Sequence, residues 1–114
     1  GHIATGVMGT DDELMNKVKD ASKSSGEKVW EFPLWPEFCK QIKSNIADVK
    51  NMGIPPQAGT IAGGAFLKEF VDPKIPWVHF DIAGTAWGVK PDSINLKGSA
   101  TGVGIRLVLD MFGV

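Results

Sequence analysis

The segment Trp77–Ala83, with the sequence WVHFDIA, decides the fold class that we predict for this chain of 114 residues. Its side chains alternate between two faces, as they do in a β-strand. One face carries the apolar residues Val78, Phe80 and Ile82. The other face carries Trp77, His79, Asp81 and Ala83. We therefore expect this segment to be a central strand of a sheet.

Two helices are predicted ahead of this strand. Thr10 and Glu13 have the spacing of a capping box, an apolar stripe follows them, and Gly26 supplies a stop. The stripe consists of Leu14, Met15, Val18 and Ala21. A second helix is predicted from Pro36, with fraying near Asn45, because apolar residues recur there at helical spacing. These residues are Phe38, Ile42, Ile46 and Val49.

A loop and a third helix are predicted between residues 51 and 70. Paired prolines and flanking glycines oppose regular structure over residues 51–60. Thr60 is predicted to cap the third helix, whose apolar face carries Ala62, Phe66 and Phe70. Gly63 and Gly64 would each cost this helix ~1 kcal/mol relative to alanine. We therefore expect a neighbouring backbone to approach closely at both glycines.

The remaining elements make the chain an α/β protein. Residues 1–9 and 29–32 are predicted as strands, the latter ended by Pro33. Thr101 is predicted to cap a last helix. The only charged residues of that helix, Arg106 and Asp110, leave so narrow a polar stripe that we expect the helix to be nearly surrounded. Helices and strands interleave along the chain, as they do in α/β folds.

Composition excludes several classes of protein. The net charge of −1 provides no single-sign field for nucleic acid or an anionic membrane. The single cysteine, Cys39, excludes an internal disulfide framework. No apolar stretch approaches the ~20 residues of a membrane span, and no signal-peptide pattern is present. We expect one domain, located in the cytoplasm, that binds neither nucleic acid nor membrane.

Two small constellations could carry chemistry, and both have simpler interpretations. His79 and Asp81 share a strand face and could supply two metal ligands. No metal-binding spacing accompanies them, so we expect structural roles for both. Cys39 and His79 could form a nucleophilic pair. Cys39 lies between apolar helical positions, so we expect it to be a small buried hydrophobe.

A glycine-rich segment and the tryptophans suggest nucleotide binding only weakly. Residues 98–104 have the G-x-x-x-G-x-G spacing of some dinucleotide-binding turns. They lack the preceding hydrophobic strand and the acidic residue ~20 positions later that such a turn requires. The tryptophans have no basic residues around them, so we expect core or interface positions rather than base stacking. They are Trp30, Trp35, Trp77 and Trp87.

Three segments together resemble the C-terminal part of the leucyl (cytosol) aminopeptidases. They are Ser44–Gly53, Ala58–Leu67 and His79–Trp87, in the same order and at the same spacing as in that family. The opening residues 1–8 and residues 98–102 fit the same register. The resemblance thus covers nearly the whole chain, 1–114, as the C-terminal portion of the catalytic domain.

The resemblance implies a peptidase that removes N-terminal residues such as leucine from peptides. Its fold would be a three-layer α/β/α sandwich around a mixed sheet, assembled as a cytoplasmic hexamer. Two divalent ions, zinc or manganese, would activate the attacking water. The family's metal-binding Asn-Thr-Asp-Ala-Glu-Gly-Arg motif is absent here. In family order that motif lies upstream of residue 1, so the chain resembles a C-terminal fragment that lacks the metal-binding half. We therefore expect the chain to hold no metal ion, to contain no catalytic residue and to be inactive alone.

The resemblance also assigns two substrate-binding residues. Ala83 and Ala86 would line the pocket for the first side chain of the peptide. Simple close packing is the alternative explanation for both. For the whole chain, the alternative is a stand-alone, non-enzymatic α/β binding module that uses its tryptophan-rich surface. A nucleotide-dependent enzyme built on residues 98–104 is a third hypothesis.

Overall fold

A computed structural model describes residues 1–52, 57–87 and 99–114 of the chain. Three strands and four helices lie in these ranges. They are β1 (Thr5–Gly9), α1 (Asp12–Ser25), β2 (Val29–Glu31), α2 (Pro36–Lys40), α3 (Gly59–Lys68), β3 (Val78–Asp81) and α4 (Ile105–Met111). Part of the predicted loop 51–60, residues 53–56, and the first glycine of the segment 98–104 lie outside the described residues.

The three strands form a mixed sheet in the order β2-β1-β3. β1 is parallel to β2 and antiparallel to β3. Val7 lies opposite Phe80, and Met8 lies opposite His79. This register confirms the predicted alternation over Val78–Asp81, the part of the segment that forms β3. The prediction of a central strand there is wrong among the described residues, because β1 has a partner on each side and β3 lies at the edge.

One face of the sheet carries α1 and α4. Val7 is fully buried there and packs with Leu107 of α4 and with the buried side chains of α1. Those side chains are Met15, Val18 and Ala21. The apolar stripe predicted for the first helix thus forms the core on this face, joined by Phe80 from β3.

The opposite face of the sheet is covered by α3. A Cβ atom at Gly64 would overlap the Sδ atom of Met8, so α3 packs against β1 at a position where only glycine fits. Gly63 has nothing within 4 Å of such an atom, and the neighbour at Gly64 is the Met8 side chain. The expected close approach of a backbone is therefore wrong at both glycines, although Gly64 does pack closely against a side chain. With helices on both faces, the structure has the three layers expected of an α/β/α sandwich.

Three predicted helix caps are displaced by one to three residues. Asp11, not Thr10, caps α1, because its carboxylate accepts from the Leu14 amide at 2.7 Å. Helix α3 begins after Ala58, not at Thr60, and α4 begins after Gly104 rather than at Thr101. Ala58 and Gly104 both have left-handed backbone angles and provide no side-chain cap.

The second predicted helix is much shorter than its apolar pattern suggests. Helix α2 ends at Lys40, and Ile46 is 98 % exposed rather than part of an apolar stripe. The Ser44 hydroxyl accepts from the amides of Ile46 and Ala47, which closes a local turn in place of helical bonds. The backbone then returns so that Lys50 donates to the carbonyl of Ile42.

The last helix is more exposed than its composition predicts. Leu107 alone is buried, whereas several other apolar side chains of α4 and its C-terminal end are exposed. These are Ile105, Val108, Leu109 and Phe112. The expectation of a nearly surrounded helix is therefore wrong within the described part of this chain. No helix in that part is long and apolar enough to cross a bilayer.

Candidate substrate pocket

A cavity of about 450 Å³ opens on the face of the sheet that α3 covers. All three strands, α3 and the turn after β3 contribute to it. Its walls consist of residues 1–4, Gly6, Trp30, Phe32, Thr60, Asp81, Ala83 and Gly84. The cavity thus combines an aromatic side, a small-residue side and one carboxylate.

Gly6 provides the floor of the cavity. The register places it between Trp30 on β2 and Asp81 on β3. A Cβ atom at Gly6 would lie 2.9 Å from the Phe32 ring and 3.1 Å from the Thr60 methyl group. Any side chain here would therefore press on both walls, so glycine at this position keeps the cavity open.

The turn after β3 forms the small-residue wall. Ala83 is exposed at the cavity, and its amide donates to the Asp81 carboxylate at 3.2 Å. Gly84 lies directly against the backbone of Gly1. Ala86 is half-buried, and its carbonyl accepts from the Thr101 amide at 3.0 Å. The structure thus places Ala83 among the lining residues, whereas Ala86 follows three positions later on the same turn and does not contact the cavity.

The other candidate residues have structural surroundings. His79 stacks on Trp77 with ring centroids 6.1 Å apart, and Asp81 holds the turn through Ala83. No group of three or more potential metal ligands occurs among residues 1–52, 57–87 and 99–114. Cys39 lies on α2 and is half-buried, whereas we expect a fully buried side chain. That expectation is wrong.

The tryptophans lie mainly at the surface. Trp30, Trp35 and Trp87 are each at least 60 % exposed, so a core position is wrong for these three. Trp30 lines the cavity, and Trp35 stacks on Phe38 with centroids 5.9 Å apart. The interface role that we predict as the alternative stays a prediction.

The start of α4 is occupied by a carboxylate of the chain itself. The buried Glu27 side chain accepts from the amides of Gly104 and Arg106, the latter at 3.0 Å. These amides are the donors that a phosphate would need at this helix end. Glu27 therefore argues against the nucleotide-binding interpretation of residues 98–104. The sequence pattern did not predict this contact, because Glu27 and Gly104 are 77 positions apart.

Comparisons with known proteins agree on one family. The sequence model for "Cytosol aminopeptidase family, catalytic domain" matches residues 1–109. The probable cytosol aminopeptidase of Syntrophotalea carbinolica is 50% identical over 111 residues, which are 97% of this chain and 22% of that protein. The one from Geotalea uraniireducens is 48% identical over 110 residues, with 96% and 22% covered.

A solved structure gives the same result. A mutant of tomato leucine aminopeptidase superimposes with a TM-score of 0.84 at 37% identity, covering 97% of this chain and 21% of that one. The chain spans about a fifth of the length of the relatives it matches. On sequence and fold together, this chain belongs to the cytosol aminopeptidase family.

Proposed function

We propose that the chain is the C-terminal portion of the catalytic domain of a metal-dependent leucyl aminopeptidase. The whole protein would remove N-terminal residues such as leucine from peptides, in the cytoplasm and as a hexamer. The observation that carries this proposal is the family match over residues 1–109, in which the curated relatives are named cytosol aminopeptidases. The cavity beside Ala83 supports it, because it offers a concave site of about 450 Å³.

The catalytic metal ions would be held outside this chain. The described residues contain no cluster of three potential ligands, and Asp81 is engaged with the amide of Ala83. They do not fit a site for two zinc or manganese ions. The ligands would lie on the other four-fifths of the protein.

This chain would contribute the pocket for the first side chain of the substrate. Ala83 presents a single methyl group to the cavity, and Gly6 keeps the floor open. Small residues leave room for a leucine-sized group without a polar selector. Since one methylene of fit is worth only ~1–3 kcal/mol, preference among apolar side chains should be broad.

A chimera tests the proposed activity. The matched fifth of the Syntrophotalea carbinolica protein is replaced by residues 1–114, and leucine amide hydrolysis is measured with zinc or manganese. We expect the chimera to be active and the isolated chain to be inactive under the same conditions. Turnover by the isolated chain, free of full-length contaminant, would refute the assignment of the metal ligands to the rest of the protein.

A folded but inactive chimera would contradict the proposal itself. The unmodified Syntrophotalea carbinolica protein serves as the positive control, and circular dichroism reports folding. If the isolated chain were then a cooperative, stable monomer, the alternative of a non-enzymatic binding module would be favoured.

Filling the small-residue wall should shift substrate preference. In the chimera, Ala83→Leu is expected to lower kcat/KM for leucine amide roughly tenfold more than for alanine amide, because the added side chain occupies space that only the larger substrate needs. Ala47→Leu, at an exposed residue away from the cavity, is the matched control. Equal losses on both substrates would show that Ala83 does not form the wall, and Ala86→Leu tests the second predicted wall residue in the same assay.

A further inference from the structure

Two buried threonines join the turn after β3 to the centre of the sheet. The hydroxyls of Thr5 and Thr85 share a hydrogen bond of 2.9 Å across 80 residues of sequence. Thr5 is 3 % exposed and Thr85 is 8 % exposed, so the bond between them is shielded from solvent. A buried hydroxyl that loses its partner is costly, and this pair therefore favours one position of the turn over others.

A third threonine fixes the same turn from the other side. The Thr101 hydroxyl donates to the carbonyl of Thr85 at 2.7 Å, and the Thr101 amide donates to the carbonyl of Ala86 at 3.0 Å. The same hydroxyl accepts from the amide of Val103, which leads into α4. Thr85 is thus held through its side chain by β1 and through its carbonyl by the segment before α4.

The anchored turn carries the cavity wall. The amides of Thr85 and Ala86 both donate to the carbonyl of Ile82, at 3.0 and 2.9 Å, so the turn is a single tight unit. Thr5 lies on the sheet face that packs on α1 and α4, whereas Ala83 lies at the cavity on the opposite face. Ala83 lies in this turn two residues before Thr85, so the position of Thr85 constrains that of Ala83 relative to the Gly6 floor.

We propose that Thr85 is a positioning residue whose hydroxyl bond to Thr5 holds Ala83 at the distance that fits a leucine-sized side chain. This proposal rests on the proposed function and deepens it. Thr85 itself does not touch the substrate. It acts by limiting the motion of the wall, and only a side chain long enough to reach that wall benefits.

The test compares Thr85→Val with Thr85→Ser in the chimera. Valine keeps the shape of threonine and removes the hydroxyl, whereas serine keeps the hydroxyl. We expect Thr85→Val to reduce the ratio of kcat/KM for leucine amide over alanine amide roughly tenfold, with the loss mainly in KM for leucine amide. Thr85→Ser should keep the ratio within about twofold of the parent.

Two further variants separate positioning from stability. Thr5→Val/Thr85→Val removes both hydroxyls together, so it leaves neither unpaired and should recover folding where the single variant loses it. Its substrate ratio should stay reduced. Ser24→Ala is the matched control, since the Ser24 hydroxyl joins α1 to Asp110 at the exposed surface, away from the cavity.

Hydrogen exchange gives a readout that does not require activity. In the chimera, Thr85→Val should accelerate exchange of the Thr85 and Ala86 amides roughly tenfold relative to those of α1. Unchanged local exchange, or an active chimera whose Thr85→Val variant keeps the parental ratio, would overturn this inference alone. An inactive parent chimera would overturn the proposed function and, with it, this inference.

Discussion

Replacing Glu27 by alanine is expected to lower the free energy of unfolding of the chain by about 3 kcal/mol. The Glu27 carboxylate accepts from the amides of Gly104 and Arg106 and, at 3.4 Å, from the Arg106 guanidinium. Its side chain is only 7 % exposed. Bonds from backbone amides to a charged acceptor contribute about 1.5–3 kcal/mol each, and alanine leaves both amides at the start of α4 unpaired. The Arg106 side chain is largely exposed, so the ion pair itself adds little.

Urea denaturation measures this effect, and two variants calibrate it. Glu27→Gln keeps one acceptor and loses the charge, so it should cost about half as much as alanine. Glu13→Ala removes a carboxylate from an exposed pair with Lys17 and should cost no more than about 0.5 kcal/mol. If Glu27→Ala were no worse than Glu13→Ala, the carboxylate would not be what fastens α4 to the end of α1.

Local patterns predicted the strands and the first helix well. The alternation predicted in the segment Trp77–Ala83 is set by packing on two faces, and the sheet register confirms it over Val78–Asp81. The stripe of α1 and its stop at Gly26 follow from helical spacing and from a left-handed residue, both of which are local properties. The position of β1 at the centre was not predictable in this way, because strand order depends on pairing between distant segments.

The errors arise where one local interaction competes with another. Thr10 and Asp11 are both good caps, and only the backbone geometry decides that Asp11 accepts from Leu14. The apolar spacing after Pro36 predicts a long helix, but α2 ends at Lys40, and beyond it the Ser44 hydroxyl accepts from two amides in a local turn. The spacing of apolar residues does not indicate which side chain will bond to the backbone, so it could not predict these helix boundaries.

In the candidate site, too, some features were predictable from the sequence and others depend on contacts between distant residues. Ala83 was predicted from a resemblance to a family, and the structure places it at a cavity. The floor at Gly6 and the Thr5–Thr85 bond had no sequence signal, since each depends on residues far apart in the chain. A threonine in a strand or a turn is common, and only the three-dimensional contacts distinguish Thr5 and Thr85.

Adjacent glycines in α3 should respond in opposite directions to the same substitution. Gly64→Ala is expected to destabilise the chain by about 1–3 kcal/mol, because its new methyl group would overlap the Sδ and Cγ atoms of Met8, which is fully buried. Gly63→Ala adds the same methyl group into open space and should stabilise α3 by about 0.5–1 kcal/mol through helix propensity.

The pair of variants isolates packing from propensity, since both gain the same helical preference and differ only in what the methyl group meets. Thermal or urea unfolding should therefore separate Gly63→Ala from Gly64→Ala by about 1.5–4 kcal/mol. Gly64→Ala combined with Met8→Ala provides the decisive comparison. Met8→Ala alone opens a cavity and is destabilising, but it also removes the overlap, so Gly64→Ala should cost less in that background than in the parent. Equal costs in the two backgrounds would mean that the contact between α3 and β1 does not require glycine.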